Sequence, residues 1–334
     1  MTYTYSAYNL TIESELPLPE LVPLTNHNGN GKEPSPNTTV AVRLGTVPAA
    51  LGDPIGEGVL YQASANQFLL KLDHIARYLV QNGDEIIVQP APDALASDVR
   101  VFMLGAGFGA LLHQRQVLVL HASAIHTERG AILFCGPSGI GKSTLLGELL
   151  NRGYPMMVDD VCAVVLDAMG RPLVLPAYPR TRLWADAAKA LAIETAGMER
   201  TRPDLEKYER QIPERFWDQP TPLRHIYQLT TTKQDELTLT PLSTIDTFNA
   251  VLHNTYRHAF LDGLAMRQPH FRMVAAVASQ MGVSCVVRPS SSFKLKELAD
   301  RIEEDLETAV QTNQEFRKGE SSGETINSYQ KAAC

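Results

Sequence analysis

Between residues 40 and 88, apolar and polar positions alternate in short runs. Val40–Leu44, Val59–Gln62, Gln67–Leu72, Ile75–Val80 and Glu85–Val88 read as strands. Asn82-Gly83-Asp84 separates the last two with residues that suit a turn. Tyr3–Ile12 alternates less regularly, and Pro17, Pro19 and Pro23 then break the pattern. Thr25–Asn37, dense in Asn, Gly, Pro and Ser, reads as a loop. The pattern predicts a small, mostly antiparallel β-rich domain over residues 1–96 with no concentration of catalytic residue types.

Further on, the period changes. Ser97–Leu112 reads as a helix whose Gly105, Ala106, Gly107, Gly109 and Ala110 permit close packing. Val117–Ala124 and Ala131–Cys135 are apolar enough for buried strands, and Lys142–Arg152 places Leu145, Leu146, Leu149 and Leu150 on one side of a helix. Met156–Val158 and Cys162–Leu166 flank an acidic pair. Strand runs (Ile226–Leu229, Glu236–Pro241, Ser284–Val287) then mix with helical ones (Ala185–Ala192, Thr247–Asn254, Met273–Gln280, Ser292–Gln314). The expectation is an α/β domain over residues 97–315, followed by a Ser-, Gly- and Lys-rich disordered tail over 316–334. No internal repeat is visible.

One segment carries chemistry. Gly136, Pro137, Ser138, Gly139, Ile140, Gly141, Lys142 and Ser143 fit G-x-x-x-x-G-K-[ST], and Thr144 continues into the helix. An apolar strand leads in and a helix leads out, the context this loop needs. Its glycines let backbone N–H groups turn toward phosphate oxygens, and the helix N-terminus adds partial positive charge. Lys142 suits the β/γ-phosphates and the Ser143 hydroxyl suits Mg²⁺. The expected ligand is therefore ATP with Mg²⁺. The acidic pair Asp159-Asp160 begins seventeen residues after Lys142, at the end of the Met156–Val158 run. Two carboxylates there can divide roles, one serving the metal and the other accepting a proton from an attacking hydroxyl. No LSGGQ-like stretch and no Asn-Lys-x-Asp motif is present. His121 ends an apolar strand fifteen residues before Gly136. Alone, such a histidine reads as readily as a core residue.

Composition narrows the classes. Thirty Lys and Arg stand against 37 Asp and Glu, a net charge of −7, which argues against a nucleic-acid partner. The four cysteines (Cys135, Cys162, Cys285, Cys334) show no paired spacing, so reduced thiols are expected rather than a zinc ribbon or disulfide framework. The N-terminus lacks the charged and apolar regions of a secretory signal. The longest apolar stretch, Val101–Leu112, falls short of the ~20 residues of a membrane helix. The chain reads as cytoplasmic, with no membrane partner.

Taken together, His121, the glycine loop, Arg152-Gly153 and Asp159-Asp160 resemble the catalytic core of bacterial HPr kinase/phosphorylase, over about residues 117–166. The resemblance implies a P-loop domain related to phosphoenolpyruvate carboxykinase that phosphorylates a serine hydroxyl. It implies Asp160 as general base, Asp159 and Ser143 at the metal, Lys142 on phosphate, and His121 beside the pair. Two features depart from the family: Ala122 stands where it has Glu, and its later glycine-rich signature and HPr-engaging loop are not found. The layout after Leu166, with Ser14–Glu20, resembles looser HPr-kinase-like proteins, some encoded with lasso-peptide biosynthesis. That implies a peptide acceptor, such as the C-terminal serine of a lasso precursor, rather than HPr, with residues 1–96 as a candidate peptide-holding domain. Among the basic residues of Pro- and Tyr-rich segments read as loops (Arg180, Lys207, Arg210), Lys207 is the chosen second cation, on the same resemblance. Trp184, Phe216 and Trp217 read as core or domain-contact residues, and His253, His258 and His270 as structural or exposed. Self-association into a homo-oligomer stays open. So do a kinase of a small-molecule hydroxyl or carboxylate, and a nucleotide-binding regulatory protein with little turnover.

Overall fold

The computed structural model describes residues 1–24, 38–201 and 205–307. The loop expected over 25–37, the tail over 316–334 and the end of the last helical run lie outside these. Met1–Phe293 form one compact unit, and residues 294 onward are assigned to a second, in which 295–307 are helical. The boundary expected at residue 96 is thus not a division between compact units.

The first part is a nine-stranded sheet. In chain order its strands are β1 Tyr3–Ala7, β2 Leu10–Ser14, β3 Val22–Pro23, β4 Thr39–Leu44, β5 Gly56–Glu57, β6 Tyr61–Ser64, β7 Gln67–Leu72, β8 Ala76–Gln81 and β9 Glu85–Pro90. In space the order is β3-β1-β2-β4-β9-β8-β7-β6-β5. The run Tyr3–Ile12 is a hairpin, because Tyr8 and Asn9 take φ of 55° and 57° and reverse the chain. Asn9 suits this turn by type, whereas Tyr8 does not. The sheet is mostly antiparallel, as expected, with six of its eight pairings of that kind; only β4 departs, running parallel to both β2 and β9.

The predicted helix after it is continuous but irregular: α1 Ala96–Phe102, a π-helical turn over Met103–Gly107, then α2 Phe108–Gln114. Its glycines have a purpose. A Cβ on Gly109 would lie 2.8 Å from the Tyr256 ring, so the helix face is cut away for that side chain. This helix joins the first sheet to the second. Val40, Phe68, Tyr78 and Ile86 share one buried core with Met103, Phe108, Leu111, Leu118 and Leu133. Tyr78 Oη also donates to Val99 O at 2.9 Å.

The second sheet holds the glycine loop. Its strands are β10 Leu118–Thr127, β11 Gly130–Cys135, β12 Met156–Leu166, β13 Pro172–Leu175, β16 Thr221–Thr232, β17 Thr238–Pro241 and β18 Gly282–Pro289. The order is β11-β10-β12-β13-β16-β18-β17, and β16 also pairs with β11, so five strands close on themselves. Helix α3, Lys142–Asn151, follows β11 and buries Leu145, Leu146, Leu149 and Leu150. At roughly 1.5–3 kcal/mol for each large side chain fully buried, this face anchors the helix whose N-terminus forms the loop. A separate ribbon pairs β14 Arg180–Trp184 with β15 Lys207–Gln211. Helices α4 Ala185–Ala190, α5 Thr244–His253, α6 Phe260–Gly263 and α7 Arg267–Ala278 complete the unit. No helix among the described residues is long and apolar enough to cross a membrane.

Candidate active site

The glycine loop leaves β11 and enters α3 with Gly136, Gly139 and Gly141 at φ of 141°, 81° and 104°. Gly136 and Gly141 also lack room for a side chain. A Cβ would meet Leu229 O at 2.7 Å or the Phe293 ring at 2.6 Å. Lys142 is buried, its Nζ donating to Gly136 O at 2.7 Å and Pro137 O at 3.1 Å. Burial pulls its ammonium below the ordinary value, against the sulfur of Cys135 and the carboxylates of Asp160 and Asp159.

Asp159 and Asp160 do not sit at a strand end, as the sequence suggested. They lie inside one continuous strand, β12, and pair with Ser123 and Ala122 of β10. Their side chains diverge. Asp159 Oδ1 accepts from Ser143 Oγ and from Ser123 Oγ, both at 2.8 Å, and its Oδ2 accepts from Arg182 N at 3.2 Å. Asp160 holds φ at 98°, a left-handed value that costs a non-glycine residue of order 1–3 kcal/mol. Its Oδ1 lies 3.0 Å from His121 Nδ1 and its Oδ2 3.6 Å from Arg182 Nη1. Burial raises the Asp160 carboxyl, but the hydrogen bond and charge of His121, then Arg182 and Lys207, outweigh it and hold the group at about 2. It is therefore ionised throughout the physiological range.

Two adjoining cavities meet at Asp160. The smaller, about 140 Å³, is lined by Ser138, Gly139, Gly141–Thr144, Asp159, Asp160, Arg182, Trp184 and Lys207 among others. The larger, about 720 Å³, continues from Gly136, Pro137 and Ser138 to Gln228 and His253–Arg257. His121, Ser138, Asp160 and Lys207 border both. The far wall is pinned to β10, because His121 N donates to Asn254 O and Tyr256 N to Val119 O, each at 2.8 Å. Asn254 Nδ2 in turn donates to Gln228 Oε1.

The structure thus brings His121, Lys142, Ser143, Asp159, Asp160 and Lys207 to one place. Every residue of Gly136–Thr144 except Ile140 lines a cavity; the Ile140 carbonyl accepts from Arg288 Nη2 at 2.8 Å. Lys207 is on strand β15, not a loop, and its Nζ lies 5.6 Å from the Trp184 ring centroid. Arg180 is also on a strand and lines neither cavity. Its side chain is 1% exposed, held by Glu209 at 2.7 Å and Glu20 at 3.4 Å. Trp184 is 45% exposed at the cavity rim rather than in the core. His253 lines the larger cavity, and His270 is buried with its Nε2 2.9 Å from Thr255 Oγ1. Sequence reasoning missed Arg182, Ser123 and the 254–257 wall. The strict alternation Arg180-Thr181-Arg182-Leu183-Trp184 was the available signal for the first.

For Mg²⁺, the donor set is suitable: Ser143 Oγ and the Asp159 carboxylate are hard oxygens already in contact, and phosphate and water would supply the remaining positions.

No family model and no curated protein matches the sequence. Among solved structures, the chain is similar to the HPr(Ser) kinase/phosphatase from Coxiella burnetii, at 12% identity and a TM-score of 0.33. The match covers 58% of this chain and 98% of that one.

Proposed function

We propose that the protein is an ATP-dependent kinase that transfers the γ-phosphoryl group to a serine hydroxyl of a peptide or small protein. The observation that carries this reading is the meeting of a complete phosphate-binding loop with an ionised, half-buried carboxylate at the junction of two cavities. The smaller cavity takes the phosphate chain, on the loop N–H groups and Lys142. Mg²⁺, held by Ser143 and Asp159, would neutralise charge on the β- and γ-phosphates. The larger cavity seats the acceptor, whose hydroxyl approaches Asp160. The acceptor oxygen forms its bond to the γ-phosphorus as the bond to ADP breaks, and Asp160 takes the hydroxyl proton. A carboxylate held as low as Asp160 is a weak base. That suits a loose transition state, in which the proton leaves late and positioning and charge supply most of the rate. His121 fixes the Asp160 side chain from the other side through Nδ1.

A flexible peptide, such as a precursor of the lasso type with a C-terminal serine, is the preferred acceptor, because an extended segment can lower one residue into an open cavity of this size. The test is to incubate the chain with ATP–Mg²⁺ and, separately, serine-ended peptides, HPr and small hydroxylated metabolites, and to follow the gain of about 80 Da expected for one phosphoryl group. Gain on the peptide supports the reading. Gain on HPr alone or a metabolite alone overturns the acceptor class.

A further inference from the structure

We propose that Arg182 is a second catalytic cation, meeting the charge on the phosphoryl group in transfer alongside Lys142, and that Glu209 is the positioning residue that holds it there. The inference rests on the phosphotransfer reading above.

The ribbon β14–β15 explains how Arg182 reaches the site. Alternate residues of a strand share a face, and the register sets Arg182 against Glu209 and Trp184 against Lys207. One face of the ribbon therefore carries Arg180, Arg182, Trp184, Lys207 and Glu209. The two arginines on it have separate fates. Arg180 is consumed by a buried network: Arg100 Nε donates to Glu20 Oε1 at 2.7 Å, and Arg180 bridges Glu20 and Glu209. Arg182 instead lines the phosphate-sized cavity with Lys142, Ser143 and Asp159. Its nearest carboxylates are Glu209 Oε1 at 3.5 Å and Asp160 Oδ2 at 3.6 Å, ion-pair distances longer than a hydrogen bond. Its Nη2 is buried and has no hydrogen-bond partner.

Arg100, Arg180 and Arg182 face three carboxylates, Glu20, Glu209 and Asp160, and Arg182 is the one of the three guanidinium groups that lines the phosphate-sized cavity. A buried guanidinium N–H with no acceptor is uncommon in folded proteins. A planar fork also matches two oxygens of a phosphoryl group better than an ammonium does. In the transfer step the acceptor O–P bond forms, the P–O bond to ADP breaks with its electron pair leaving on ADP, and the hydroxyl proton goes to Asp160. Arg182 exchanges no atoms and stabilises the three equatorial oxygens in flight. Glu209, shared between two guanidinium groups, fixes Arg182 without neutralising it.

The experiment compares binding of ADP–Mg²⁺ with binding of ADP–Mg²⁺ plus aluminium fluoride, a mimic of the phosphoryl group in transfer, by calorimetry on the full chain. In Arg182→Lys and Arg182→Gln, affinity for the aluminium fluoride complex should fall by about 10²–10³-fold, the loss typical of one transition-state donor. Affinity for ADP–Mg²⁺ should stay within about threefold of the unmodified chain. Glu209→Gln should show a smaller loss in the same direction, and the double variant should lose less than the two single losses combined. Equal losses for both ligands, or none, would overturn the role of Arg182 and leave the nucleotide site standing. Failure of the unmodified chain to bind ADP–Mg²⁺ would overturn the kinase reading and this proposal with it. Arg182→Lys keeps the charge that offsets Glu209, so it serves if the glutamine variant unfolds.

Discussion

The wall of the larger cavity depends on a buried histidine, and acid should release it. His113, on α2, is 1% exposed, and its Nε2–H donates to the carbonyl of Tyr256 at 2.8 Å. Burial lowers its proton affinity from 6.5 to about 4, against the hydrogen bond to Tyr256, which raises it. The folded chain therefore binds a proton here less well than the unfolded chain, and stability must rise with pH through this window. The contribution is complete above about 6.5 and is lost as pH falls toward 4. At about 1.4 kcal/mol per tenfold difference in proton affinity, the full effect is about 3 kcal/mol, of which about 2 kcal/mol is lost by about pH 5. Urea unfolding between pH 7.5 and 5 would measure this. His113→Gln keeps a donor for Tyr256 and removes the titration, so its stability should fall by about 2 kcal/mol less over the same interval. The same pH slope in both chains would refute the assignment. His270 is lowered to about 4 by burial as well and acts in the same direction, so the variant should retain part of the slope.

Other consequences follow from the site. Lys142→Ala removes the buried ammonium from the loop, and ATP–Mg²⁺ affinity measured by calorimetry should fall on the order of 10²-fold. Asp160→Asn suits the left-handed backbone, since asparagine tolerates positive φ. It should bind ATP normally while turnover in a coupled ADP assay falls about 10²–10⁴-fold. Asp159→Asn should instead raise the Mg²⁺ concentration for half-maximal turnover by about tenfold or more. Gly141→Ala would set a methyl group 2.6 Å from the Phe293 ring at φ 104°. It should cost about 1–3 kcal/mol in chemical denaturation and weaken nucleotide binding.

Local chemistry explains what could be read in advance. The glycine loop was legible because its residue types follow from backbone geometry: positive φ at Gly136, Gly139 and Gly141 leaves few alternatives. The strands β7 and β11 were legible because their burial follows composition. The continuity of β12 was not. A pair of aspartates in an apolar run looks like a break, and only its pairing with β10 across Ala122 and Ser123 keeps the strand intact. Arg180 and Arg182 are indistinguishable by type, two residues apart on one face. What separates them is Glu20, distant in sequence, whose carboxylate claims Arg180. The 254–257 wall was equally hidden, because backbone hydrogen bonds to Val119 and His121 place it rather than any side-chain motif.

The central claim is that this site moves the γ-phosphoryl group of ATP to an acceptor hydroxyl. Phosphorus NMR of the chain with ATP–Mg²⁺ and a serine-ended peptide tests it directly, because every phosphorus is followed at once. The account predicts loss of the γ-phosphate resonance, growth of ADP, and a new phosphomonoester resonance on the peptide, all of them suppressed in Asp160→Asn. An unchanged ATP spectrum, or growth of inorganic phosphate with no phosphoester on any acceptor supplied, would contradict it.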